Sequence, residues 1–188
     1  INSGKIIRTH ILRPTWHLVA ADDIYWMLDL SGPQVKRIIL ADTKKHGYDE
    51  KEFDKINSAI EKMLAGNNHL TRDEIMDELN FKKNPDNYFL SPVLIMMYAE
   101  LEGLVCNGKM KGKQITYALL EERVSKPKYK LTKEEGLIQL ALRYFSSHGP
   151  ATITDFSWWS GFPQTICKQI INAISLQLNS VVINGKTY

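Results

Sequence analysis

Apolar and polar positions change rhythm several times along this chain, and each change marks an element. From Lys5 to Ala20, β-branched residues crowd KIIRTHI and resume in TWHLVA, which predicts two strands broken by Arg13-Pro14. Helical spacing follows. Asp22 or Asp23 can cap a helix carrying Ile24, Met27 and Leu28 that ends at Ser31-Gly32-Pro33. A second helix opens at Pro33 with Val35, Ile38 and Ile39, and closes on Lys44, Lys45, His46 and Gly47. A third starts after Asp49, with Phe53, Ile56, Ile60, Met63 and Leu64 at helical spacing up to Gly66.

Thr71-x-x-Glu74 is a capping box, so a short helix starts at Arg72 and buries Ile75 and Leu79. A polar turn is expected over Phe81–Asn87. Ser91-Pro92 then starts a helix with Leu94, Met97, Tyr98 and Leu101 on one face. After Gly103 comes a strand (LVCN), a turn rich in glycine and lysine (GKMKGK), and a second strand (QITYALL). Helix, turn, longer helix and hairpin is the order of a winged helix-turn-helix unit, whose second helix can enter a groove and whose hairpin can touch backbone.

The same order recurs after Leu131. A helix over 132–148 carries Leu137, Leu140, Ala141, Tyr144 and Phe145, and Gly149-Pro150 breaks it. Thr152 or Thr154 caps a short helix containing Trp158 and Trp159. Pro163 opens another with Cys167, Ile170, Ile171 and Ile174, and SVVINGKTY supplies a strand and its turn. Aligning Asn107-Gly108-Lys109 with Asn184-Gly185-Lys186 suggests a repeat about one small domain long. The expected fold class is therefore mainly α with small β-hairpins, in tandem winged helix-turn-helix units. Residues 1–20 are the wing of a truncated first unit, 21–66 are connecting helices, 67–124 are the second unit, and 131–188 are a third without its last strand.

Charge adds a location. The net charge of the 188 residues is +3, yet between Gly103 and Lys130 seven cations face only Glu121 and Glu122. A polyanionic partner and a solvated lysine-rich loop both fit this asymmetry. Cys106 and Cys167 sit in unrelated contexts, which argues against a disulfide scaffold or zinc site and for a reducing cytoplasm. No apolar run approaches the roughly 20 residues of a membrane helix. Phosphate loops, nucleophile elbows and metal-ligand sets are absent from the sequence, so no cofactor is expected.

Several residues are candidates for contact with a partner. Arg8 and His10 share one strand face, and Thr15 and His17 another, beside Arg13. They could meet a phosphate or hold a flipped nucleotide. Spacing alone favours a packing role, with His17 half buried against a backbone carbonyl. Trp158 could stack on a base, whereas Trp159, three residues after Phe156, fits the core. Lys109, Lys111 and Lys113 alternate through the wing turn, next to Gln114, and the winged-helix context favours phosphate contact.

Three stretches, RTHILRPTWHLVAADDIYWML, MMYAELEGLVCNGKMKGKQITYALLEERV and RYFSSHGPATITDFSWWSGFP, resemble the AlkZ-like DNA glycosylases, a bacterial family of tandem winged-helix proteins. The specific places are Arg13-x-Thr15-x-His17, Glu102-Gly103-Leu104-x-Cys106-Asn107-Gly108 and Asp155-Phe156-x-Trp158-Trp159-Ser160-Gly161. Pro14 stands where the family often has glycine. The resemblance implies hydrolysis of the N-glycosidic bond of alkylated or cross-linked purines, with double-stranded DNA as partner; the sequence does not fix the oligomeric state, and a monomer is the favoured expectation. It also implies a catalytic Gln-aliphatic-Gln or Gln-aliphatic-Asp motif upstream of the first wing, before the point where this chain begins. Gln177-Leu178-Asn179, at a helix end, is a decoy for it. The expectation is a DNA-binding portion of a glycosylase-like protein, without catalytic residues of its own. A non-catalytic winged-helix regulator or protein-interaction module is the alternative.

Overall fold

The first apolar run forms strand β1 (Ile6–Ile11), paired antiparallel with β2 (Arg13–Ala20), in a computed structural model that describes residues 1–81 and 90–188. Arg13 and Pro14 belong to β2, and the reversal falls on Leu12 with φ 60°. Left-handed backbone at leucine costs about 1–2 kcal/mol. Tertiary contact holds it there: the Leu12 N–H donates to Ser31 Oγ at 3.0 Å, and the side chain is buried.

The break expected at Ser31-Gly32-Pro33 does not occur. Helix α1 runs from Ile24 to Thr43 with Pro33 inside it. Ser31 is buried, accepts from Leu12 and donates to the Met27 carbonyl. Gly32 backs onto helix α4 (Pro92–Leu101), where a Cβ would fall 2.9 Å from the Leu101 carbonyl oxygen. These small residues mark a helix crossing, and packing there overrides the local tendency to stop.

A turn of 3-10 helix at Lys44–His46 ends on Gly47, and α2 (Glu50–Leu64) follows, capped by Asp49 and burying Phe53, Ile60 and Leu64. Strand β3 (Leu70–Thr71) leads into α3 (Arg72–Glu78), whose Thr71–Glu74 capping box is complete. Ile75 and Met76 are buried, and Leu79 is partly so. The polar turn expected over Phe81–Asn87 lies, from Lys82 on, outside the described residues.

Helix α4 differs from the single-faced helix expected. Every residue from Ile95 to Leu101 is buried, Glu100 included. Helices α1, α2 and α3 pack on it, as do β1 and strand β4 (Val105–Lys111), and Tyr98 stacks on Phe53 with centroids 4.1 Å apart. Only its first turn opens to solvent, so this helix cannot lay a side along a partner.

Strand β5 (Gln114–Leu119) lies between β3 and β4. The turn joining β4 to β5 is only Gly112-Lys113, with Gly112 at φ 62°. Lys109 and Lys111, expected in a longer turn, are strand residues, and a bulge separates Asn107 from Met110. A short helix, α5 (Leu120–Arg123), ends the hairpin.

Residues Ile1–Lys128 form one compact unit and Tyr129–Tyr188 another. The second contains α6 (Lys133–His148), α7 (Ile153–Ser160) with its Thr152–Asp155 capping box, and α8 (Gln164–Ala173). Leu140, Ala141, Tyr144, Phe156, Cys167 and Ile170 are buried. Two-residue strands β6 (Val182–Ile183) and β7 (Lys186–Thr187) close it, so a short return follows the strand and turn expected there. A short capped helix, a second helix and a hairpin thus occur in that order in both units. The fold is mainly helical with small antiparallel sheets. No helix among the described residues is long and apolar enough to cross a membrane.

Candidate nucleic-acid interface

Three separated segments of the first unit converge on one groove of about 290 Å³, lined by Arg8, Trp16, Arg72, Lys113, Gln114 and Tyr117. The hairpin β1–β2 supplies Arg8 and Trp16, the start of α3 supplies Arg72, and the β4–β5 turn supplies Lys113. Asp73 is the carboxylate on the rim. The first hairpin reaches this place through a buried side chain: Asn107 is 1% exposed, its Oδ1 accepts the Arg8 backbone N–H at 2.6 Å, and its Nδ2 donates to the Gly108 carbonyl at 3.0 Å. Gly108 has no room for a side chain, since a Cβ would lie 2.3 Å from Thr116 Oγ1 and 2.5 Å from His69 Nδ1. The bulge in β4 therefore aims Asn107 at β1, a use of bulges common beside functional sites.

Trp16 is 44% exposed and sits under the Arg8 guanidinium, whose carbon lies 3.7 Å from the ring centroid. Such contacts contribute about 0.5–1 kcal/mol at exposed sites and order both groups. The His10 ring is 5.2 Å from the same indole. Tyr117 forms the floor. Burial is the largest cause raising its phenol above the usual range, Glu100 adds to this, and Arg72 and Arg8 oppose it. Cations around an indole suit phosphates together with the flat face or edge of a base.

Two other cavities have different chemistry. One of about 420 Å³ in the same unit carries Asp54, Glu61, Glu102 and Glu121, which repel a polyanion. A larger one of about 590 Å³ in the second unit is walled by groups such as Phe145, Pro150, Ile153 and Val181. No cluster of three or more potential metal ligands occurs among the described residues.

A family model described as DNA glycosylase AlkZ-like matches residues 1–188, the whole chain. The chain belongs to the AlkZ-like family. Among solved structures, Streptomyces sahachiroi DNA glycosylase AlkZ is similar to it in fold, with a TM-score of 0.75 at 19% identity. That match covers 97% of this chain and 51% of the other, so the chain spans about half the length of that relative. No curated protein matches the chain.

Within the AlkZ-like chain, the residues singled out from sequence are partly regrouped. Arg8, Lys113 and Gln114 meet in the groove. His10 does not lie on the surface: it is 3% exposed and bound to buried Glu100. Thr15 and His17 alternate with Trp16 along β2 and lie on its other side. Thr15 is exposed. Arg13 and His17 are half buried, and desolvation, with Arg13 and His10 nearby, lowers the affinity of His17 for a proton despite a favourable Thr15 backbone contact.

Lys109, Lys111 and Lys113 do not act as one comb. Lys111 pairs with Glu74, whose carboxyl is held at about 2 by that contact and by Thr71. The Lys109 backbone N–H donates to His69 Nδ1 at 2.9 Å, and its side chain is exposed. Trp158, in the second unit, is 74% exposed, while Trp159 packs 5.0 Å from Tyr144. Gln177, Leu178 and Asn179 line the apolar cavity of that unit. Sequence reasoning missed Arg72 and Trp16. Arg72 read only as the first residue after a cap, and Trp16 as one more apolar strand position. Alternation sets Trp16 opposite His17 on β2, but only the β1–β2 register, with His10 opposite Trp16 and Arg8 opposite Leu18, places it on the Arg8 face.

Proposed function

We propose that this chain is the DNA-binding portion of a DNA glycosylase-like repair protein, and that the Arg8–Trp16–Arg72–Lys113 groove contacts duplex DNA. The observation that carries this reading is the convergence of cations from three separated segments around one half-exposed indole. Membership of the AlkZ-like family supports it. In this proposal the elements are tandem winged helices. Residues 1–20 are the wing of a first unit, 21–66 connect, 67–124 are the second unit, and 131–188 are a third. The substrates would be alkylated or cross-linked purines, already good leaving groups, for which positioning and electrostatic support of a developing sugar cation matter most. The 188 residues contain no Gln-aliphatic-Gln or Gln-aliphatic-Asp triplet, so the residues named here bind and orient DNA and are not assigned the hydrolysis.

The test is binding of the chain to fluorescently labelled random duplexes over a range of salt concentrations. Affinity independent of sequence that falls steeply with salt is expected. Selection of one operator sequence would identify a transcription regulator instead. Absence of salt-sensitive affinity would identify a protein-interaction module.

A further inference from the structure

Behind the Trp16 indole lies a buried ionisable pair with no part in the reading above. Glu100 on α4 is 1% exposed and His10 on β1 is 3% exposed. Glu100 Oε2 accepts the His10 backbone N–H at 3.1 Å and also meets the ring Nδ1. The second oxygen, Oε1, is buried with no hydrogen-bond partner among the described residues. Burial pushes the Glu100 carboxyl up, and the contacts with His10 and the charge of Arg8 oppose this. A buried pair with an orphaned oxygen is a poor means of stabilising a core, where an apolar pair of similar volume does as well or better. Its distinctive contribution is position. Contacts in series lead from it to the surface: the His10 ring to Trp16 at 5.2 Å, and Trp16 to the Arg8 guanidinium at 3.7 Å. The backbone of Arg8 is fixed separately by Asn107.

We propose that Glu100 and His10 are positioning residues for the groove, holding the Trp16 indole so that the Arg8 guanidinium is presented in one plane to a phosphate or base edge of duplex DNA. The proposal rests on the DNA-binding reading. A guanidinium ordered before binding loses less freedom on contact, and its planar fork is effective only when its plane is set. Neither Glu100 nor His10 touches DNA in this arrangement. Their influence passes entirely through Trp16 and Arg8.

The experiment is a double-mutant cycle read by fluorescence anisotropy on a fluorescein-labelled random-sequence duplex, using the full chain and checking the Tm of each variant. Arg8→Ala and Glu100→Gln are each expected to weaken binding on the order of tenfold, with the double variant no weaker than Arg8→Ala alone. Arg8→Ala should also flatten the log–log salt dependence by about one, whereas Glu100→Gln should leave that slope unchanged. If Glu100→Gln does not fold, Trp16→Leu replaces it in the cycle, and Trp16→Phe should recover most of the loss. Additive losses, or full affinity in Glu100→Gln or in Trp16→Leu, would overturn the positioning role. Full affinity in both Arg8→Ala and Lys113→Ala would remove the groove from the interface, and the DNA-binding reading of this site would fall with the proposal.

Discussion

Asn107-Gly108-Lys109 and Asn184-Gly185-Lys186 are the same three residues, each reached two residues after a strand begins, and the fold uses them in different ways. In the second copy, Asn184 and Gly185 have φ of 51° and 75° and make the exposed two-residue turn between β6 and β7. Both angles are positive, as the commonest hairpin turn of this kind requires. In the first copy, Asn107 and Gly108 lie inside β4, at a bulge, and the turn is displaced to Gly112-Lys113. Asn107 is buried and holds Arg8 across 99 residues of sequence. Asn-Gly is therefore a local instruction in one hairpin and a tertiary anchor in the other. What separates the two uses is the presence of a neighbouring strand with an unpaired N–H.

The largest effect should come from adding one methyl group to each glycine. Gly108→Ala meets Thr116, His69 and the Tyr117 carbonyl, the last at 3.2 Å. Its expected cost is about 1–3 kcal/mol or more in thermal unfolding. Gly185→Ala meets nothing within 4 Å, and its φ of 75° limits the cost to about 1–2 kcal/mol of left-handed strain. Equal shifts in Tm would erase the distinction drawn between the two copies.

The asparagines sharpen it further. Asn107→Ala leaves the Arg8 N–H without its acceptor, a loss of about 1–3 kcal/mol, and should also weaken DNA binding by freeing the first hairpin. Asn184→Gly keeps the turn and should change stability by less than about 0.5 kcal/mol, with binding unaffected by way of Arg8. Denaturant midpoints and anisotropy on the same variants provide both readings.

A smaller difference is expected among the lysines of the β4–β5 hairpin. Lys113→Ala should lower affinity for all sequences alike and reduce the salt slope by about one. Lys111→Ala should do less, because its ammonium is already occupied by Glu74. An identical loss from both would restore the picture of a uniform lysine comb.

The smallest effect concerns pH. His69 Nδ1 accepts the Lys109 N–H beside the bulge, and its affinity for a proton is lowered by burial first and then by Arg123 and Lys109. The folded state therefore favours the neutral ring. That contribution is full above the ordinary histidine value near 6.5 and is lost as pH falls through it towards the lower folded value. Mild acidification should lower Tm slightly more in the parent than in His69→Gln. No such histidine bond supports the β6–β7 hairpin, so an equal response in His69→Gln would show that other groups, His17 among them, account for the pH dependence.

Much of the fold was legible because its signals are local. The capping box at Thr71, the cap at Asp49 and the N-terminal Ser91-Pro92 lie where their sequences suggest, and of the two threonines that could cap α7 it is Thr152 that does, since each satisfies backbone groups of its own helix. Errors arose where a distant partner decides. Ser31-Gly32-Pro33 reads as a helix end until Leu101 is placed against Gly32, and Arg13-Pro14 reads as a turn until Ser31 claims Leu12. The site was legible only in part for the same reason. Arg8, Lys113 and Gln114 could be named as candidates from their surroundings, but nothing local joins Arg72 and Trp16 to them. His10 looked like a surface contact because the carboxylate that buries it lies 90 residues away.

The bond between Arg8 and Asn107 also has a meaning in time. A ribosome delivers the first hairpin long before its anchor, so for most of the synthesis of the first unit Arg8 and Trp16 are present but unplaced. Closing so long a loop is slow relative to local structure. The pocket itself comes into being only after Tyr117 has left the exit tunnel. Nascent chains shorter than that carry Arg8, Trp16 and Arg72 without the groove that joins them.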